Sequence, residues 1–193
     1  MRGVIFRTYL NFISDRFNHE VLDDILQKDD YPNKGGFSSA GNYKVKYLHS
    51  LISNTAYLFS NSKELVLSTF GEYAFKFLLD RFKKLYKNTN TPLHTDNAYD
   101  FLEQLNVIHF DELKKIYPDA KFPKFDIQRK DTRHIVIEYS SHRNLPHLVY
   151  GLIQGCLKYF DENSSLSMEK TQRLKIIKGQ EVSVYKFEVK YNG

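Results

Sequence analysis

Apolar residues recur at helical spacing through the first part of this chain and at strand spacing through its last third. Residues 4–16 and 20–28 carry a 3.6-residue period. The Gly- and Pro-bearing segment Tyr31-Pro32-Asn33-Lys34-Gly35-Gly36 then reads as a loop. Val45, Leu48, Leu51, Ile52 and Ala56 fall on one face of a further helix, and Leu65 to Phe82 form another. The polar stretch Lys87 to Thr91 separates that helix from one capped by Asp96 and running to Tyr117, where Pro118 stops it. Beyond Pro123 the period shortens to two. Segments 125–129, 133–140, 172–179 and 182–191 read as strands, with a helix over 145–160 among them and a hairpin turn at Lys178-Gly179-Gln180. The pattern predicts one α+β domain, a helical N-terminal lobe followed by a C-terminal lobe of antiparallel sheet with a packed helix.

Composition changes this picture in one respect. The chain holds 15 Phe and 14 Tyr but no Trp, enough aromatic surface for an aromatic core or a large apolar cavity. A formal net charge of +5 raises nucleic acid as a partner, but Lys83-Lys84 and Lys114-Lys115 are short pairs within scattered charge, which reads as a solvated surface. The single Cys156 excludes an internal disulfide and any multi-cysteine metal site, and reads as a small buried residue of the 145–160 helix. No apolar run reaches membrane-span length and no signal-peptide pattern opens the chain, so a cytoplasmic location without membrane contact is expected. P-loop, G-x-S-x-G and H-E-x-x-H motifs are missing, which argues against an enzyme.

Two clusters carry candidate chemistry. Tyr139-Ser140-Ser141-His142-Arg143 follows the β-branched run Arg133 to Glu138, with Asn144 as a helix cap and Pro146 near the first helical position. A phenol, a hydroxyl and a guanidinium at a strand-to-helix junction suit a ligand bearing two carboxylates, since Arg offers a planar fork. His109 is the second. It lies four residues after Leu105 and four before Leu113, on the apolar stripe of Ala98, Phe101, Leu102 and Ile108. It reads either as a core histidine bonded to a backbone carbonyl or as an axial iron ligand.

These pieces match a known family. The start Met1-Arg2-Gly3-Val4-Ile5, the Phe70-Gly71-Glu72-Tyr73 segment, the His109 to Tyr117-Pro118 helix with Pro123 and Phe125, the Tyr139/Ser141/Arg143 triplet and Leu152-Ile153-Gln154-Gly155 occur in the family's order. The chain thus resembles the bacterial heme nitric oxide/oxygen-binding (H-NOX) domains, similar to the heme domain of soluble guanylate cyclase. The resemblance implies a b-type heme between the lobes, with a helical subdomain of about residues 1–60 and a heme-binding subdomain of about 61–193. It implies His109 as proximal ligand, Tyr139, Ser141 and Arg143 on the propionates, and Ile5 and Pro123 pressing on the porphyrin. Tyr117 stands eight residues after His109, one more than the resemblance implies. The extra residue turns the following helix by about 100° and requires a π-bulge or a shifted boundary near Phe110-Asp111.

The resemblance also bears on the gas. Oxygen-binding members carry a distal tyrosine where this chain has Leu148, and the companion position falls at Ala74 with apolar Phe75 beside it. Bound dioxygen carries partial negative charge and needs a donor, whereas NO does not. An NO sensor that also binds CO is therefore expected. Tyr9 stands where oxygen binders have an aromatic, and its hydroxyl either reaches the ligand or bonds elsewhere. Signalling is expected to run through rupture of the iron–histidine bond and lobe rotation to an effector in trans, a histidine kinase or a cyclic-di-GMP enzyme. An oxygen-binding sensor and a heme-free interaction domain of the same fold are the alternatives.

Overall fold

The computed structural model describes residues 1–86, 96–112, 114, 118, 122–177 and 179–193. Four helices come first: α1 (Gly3–Arg16), α2 (His19–Leu26), α3 (Val45–Leu58) and α4 (Lys63–Tyr86). A short α5 (Ala98–Glu103) leads into a π-helical turn, Val107–Glu112. Strands β1 (Lys124–Asp131) and β2 (His134–Ser140) precede α6 (Pro146–Tyr159) and the long hairpin β3 (Ser164–Ile177) and β4 (Gln180–Tyr191). The strands form one antiparallel sheet in the order β1-β2-β4-β3.

Two apolar cores hold this together, and α4 and α6 belong to both. The first gathers Phe6, Tyr9 and Phe12 of α1, Leu48, Leu51 and Ile52 of α3, and Phe70 of α4. The second packs Phe75 and Leu79 of α4, Phe101 and Leu102 of α5, and Ile153 and Cys156 of α6 on the inner sheet face of Ile135, Ile137, Phe187 and Val189. Alternation along the strands puts those four side chains on one face. Cys156 is fully buried, as its helical context suggests.

The α4–α6 crossing is a backbone-to-backbone contact made by glycines. A Cβ on Gly151 would stand 1.9 Å from the Ser68 carbonyl oxygen, and one on Gly71 would stand 2.5 Å from that of Leu148. No side chain fits at either point without separating the helices. Gly151→Ala is therefore expected to destabilise the protein by about 1–3 kcal/mol or more, read as a fall of several degrees in the thermal midpoint.

Four local expectations need correction. Asn97, not Asp96, caps α5: its side-chain oxygen accepts from the Asp100 backbone N–H at 2.9 Å. The helix that follows is not continuous, breaking at Gln104 before the π-helical turn. Its expected end at Tyr117 lies outside the described residues, as does the Lys87–Thr91 stretch. Asn144 does not cap α6; it takes a left-handed φ of 48° and Leu145 holds the cap position. Such a φ suits asparagine, whose short polar side chain tolerates it. The third strand begins at Ser164 rather than 172, because an edge strand exposed on one side needs few apolar residues to hold its register. The π-helical turn itself matches the irregularity that the extra residue after His109 requires.

Candidate heme-type cavity

The inner face of β2 sets the site. Period-two alternation places Tyr139 on that face, packed between Phe125 of β1 and Phe187 of β4 at ring distances of 5.8 and 6.4 Å. The strand ends at Ser140, and the chain turns through Ser141, His142 and Arg143 into α6. This turn is tied to itself. The Arg143 backbone N–H donates to Ser141 Oγ at 3.2 Å, that of Asn144 to the Ser141 carbonyl at 3.1 Å, and that of Leu145 to the Tyr139 hydroxyl at 3.3 Å.

Tyr139, Ser141 and Arg143 all face one cavity of about 250 Å³. No carboxylate among the described residues pairs with the Arg143 guanidinium, and burial pulls it below the usual arginine range. A half-buried guanidinium without an anion is unfavourable, so the turn offers a place where an anionic group could bind. Ile5, Phe75, Pro123 and Leu148 also line this cavity.

His109 lines the same cavity from the π-helical turn. Its Nδ1 lies 2.7 Å from the Leu105 carbonyl oxygen. A carbonyl only accepts, so Nδ1 carries the proton and Nε2 keeps its lone pair. Burial holds the imidazole pKa below its ordinary value, with the Leu105 bond opposing and Arg143 adding to the effect. The ring is thus a neutral, oriented donor of one lone pair. Both sequence readings of His109 meet here, since the bond to backbone is also what fixes a ligating tautomer. Among the described residues no group of three His, Cys, Asp or Glu converges as a metal site. A single histidine suffices for iron when a macrocycle supplies the other ligands.

Two expected wall residues lie elsewhere. Tyr9 is fully buried in the first core, with its hydroxyl donating to Thr55 Oγ1 at 2.8 Å, and it is not among the cavity-lining residues. Burial pushes its phenol far above the ordinary range. Ala74 is likewise buried in that core, because it points about 100° away from Phe75 around α4. Leu78, one turn further on, takes the lining position, with Leu152 of α6. Sequence reading missed these two, and also Phe122 and Arg81. Leu78 was reachable from the one-turn spacing after Ala74, whereas nothing in the sequence singles out Arg81.

An α+β fold thus encloses an apolar cavity that presents one neutral histidine and a Tyr/Ser/Arg turn. The Haem-NO-binding family pattern matches residues 2–168, and the chain belongs to that family. Among solved structures, an unliganded Fe(II) H-NOX protein from K. algicida is 28% identical, with a TM-score of 0.77 over 100% of this chain and 97% of that one. An H-NOX protein from S. oneidensis in the Fe(II)NO state is 19% identical, with a TM-score of 0.75 over 98% and 99%. A mutant H-NOX protein from T. tengcongensis is 18% identical, with a TM-score of 0.79 over 100% and 98%. These last two show a shared fold. No match was found among curated proteins. Family membership makes the chain a heme-binding domain of the gas-sensor class. Among the described residues no helix is long and apolar enough to cross a membrane.

Proposed function

We propose that the chain is a nitric oxide sensor that holds a ferrous b-type heme and reports to a separate effector protein, with CO as a second ligand and oxygen excluded. The observation that carries this reading is the His109 geometry: Nδ1 is committed to Leu105 at 2.7 Å, which reserves Nε2 for the cavity. His109 would ligate the iron, while Arg143, Ser141 and Tyr139 would take the propionates. Ile5 and Pro123 would bear on the macrocycle. When bound, heme supplies an iron with one open position for a diatomic gas.

The gas preference rests on the wall contributed by Phe75, Leu78, Leu148 and Leu152, which brings no hydrogen-bond donor. Without a donor, oxygen loses a bond of about 1–2 kcal/mol, roughly a tenfold loss in affinity, and NO loses little. Tyr9 does not supply the donor, because its hydroxyl is spent on Thr55. Tyr9→Phe is accordingly expected to leave the behaviour of the ferrous protein in air unchanged while lowering stability by about 1 kcal/mol. Spectra in air and urea unfolding check the two halves. An oxygen complex of the wild type that Tyr9→Phe loses would place that hydroxyl at the ligand.

Titration of the apoprotein with heme tests the reading as a whole. Saturable uptake at one heme per chain supports it. A folded protein that takes up no heme supports instead an interaction domain that keeps the fold alone. The effector proposed, on the family resemblance, is a histidine kinase or a cyclic-di-GMP enzyme.

A further inference from the structure

The wall of the cavity carries fixed charge of one sign. Arg2, Arg81 and Arg143 line it, and no Asp or Glu stands among its described lining residues. Two of these arginines share one end. Burial, then Arg143 and Arg2, pull the Met1 amine down to about 6, which places both guanidiniums near the chain's first residue. Arg81 comes to the wall from α4, three residues past Leu78.

Nothing around Arg81 cancels its charge. Phe77, Leu78 and Lys84, its neighbours one helical turn away, include no acid. Asp80 precedes it, but is exposed and points about 100° away around α4. Glu72 of the same helix pairs with Lys158, and Lys83 donates to the Tyr159 hydroxyl at 3.1 Å. Among the described residues no carboxylate pairs with Arg81. Covering apolar wall asks only for its methylene stem. The half-buried stem explains the packing and leaves the charge unused.

That charge bears on the oxidation state of a heme. The iron–porphyrin core is neutral with Fe(II) and carries one positive charge with Fe(III). With Arg143 on the propionates, Arg81 is left to act on the core. A fixed cation at an apolar wall repels the ferric core, is indifferent to the ferrous one, and is screened less than in open water.

We propose that Arg81 sets the redox poise of the heme, its charge favouring ferrous iron by opposing the loss of one electron. No bond forms or breaks in this role and no proton moves; the electron passes to or from an external one-electron mediator. The proposal rests on the reading that the chain holds a heme.

Spectroelectrochemistry of the heme-loaded full chain, with a one-electron mediator, reads the ferric-to-ferrous ratio at a fixed potential. Wild type is compared with Arg81→Lys, Arg81→Met and Arg81→Glu. Methionine keeps a long apolar stem and removes the charge. The ratio is expected to rise at least about threefold in Arg81→Met and about tenfold in Arg81→Glu, tenfold being about 59 mV for one electron. Arg81→Lys, which keeps the charge, stays within about twofold of wild type. A flat series overturns the proposal. Arg81→Lys behaving as Arg81→Met also overturns it, by making the planar fork or the packing the cause. Faster heme transfer to a scavenger from Arg81→Met, with an unshifted ratio, makes Arg81 a propionate contact instead. Should Arg81→Met lose its fold, lysine against glutamate carries the comparison. A wild type that holds heme beside a flat series removes the redox role alone. A wild type that takes up no heme removes the sensor reading, and this role with it.

Discussion

His109→Gly removes the native heme spectrum and lowers heme retention by at least about 100-fold, and added imidazole restores both. The size follows from the loss of the one protein ligand, since losing merely a supporting contact around a metal ligand already costs about 10–100-fold. Rescue is expected because glycine leaves a space of imidazole shape in the cavity wall, and the Leu105 carbonyl remains in place to orient the added ring. Ultraviolet–visible titration with heme, with and without imidazole, measures this directly. A variant that binds heme as tightly as the wild type, with an unchanged spectrum, would remove His109 from the iron.

Arg143→Ala gives the second largest effect, a heme loss about 10–100-fold faster, from one charge-assisted contact of about 1.5–3 kcal/mol. Transfer of heme to an excess of a scavenger protein reads the rate. Arg143→Lys recovers part of the loss, because an ammonium keeps the charge but not the planar fork. The apoprotein behaves in the opposite sense. Without a guest, the half-buried guanidinium lacks an anion, so Arg143→Ala leaves the apoprotein's thermal midpoint level or raises it. Equal destabilisation of apo- and heme-loaded protein would instead make Arg143 a structural residue of the turn.

The site was legible in the sequence where local spacing alone fixes geometry. Tyr139 and Ser141 share a face because a strand alternates, and Arg143 follows in the turn that Pro146 closes. His109 was legible from its stripe, and the eight-residue interval to Tyr117 pointed to the irregular turn at Val107–Glu112. What the sequence left open or missed depended largely on contacts distant in sequence. Tyr9 belongs to the first core because Thr55, 46 residues away, takes its hydroxyl. Ala74 belongs to the first core, and Leu78, one turn further along α4, lines the cavity in its place. Asn144 looked like a cap since its residue type serves both caps and left-handed turns, and only the tie of the turn to Ser141 selects the second. The early start of β3 was missed because edge strands carry little apolar signal.

Absorption spectroscopy of the heme-loaded ferrous protein, under argon, then in air, then with NO, tests the central claim most directly. The account predicts a five-coordinate ferrous spectrum, unchanged on admitting air and converted on adding NO. A stable oxygen complex in air would contradict it, and would require a hydrogen-bond donor at the wall formed by Phe75, Leu78, Leu148 and Leu152.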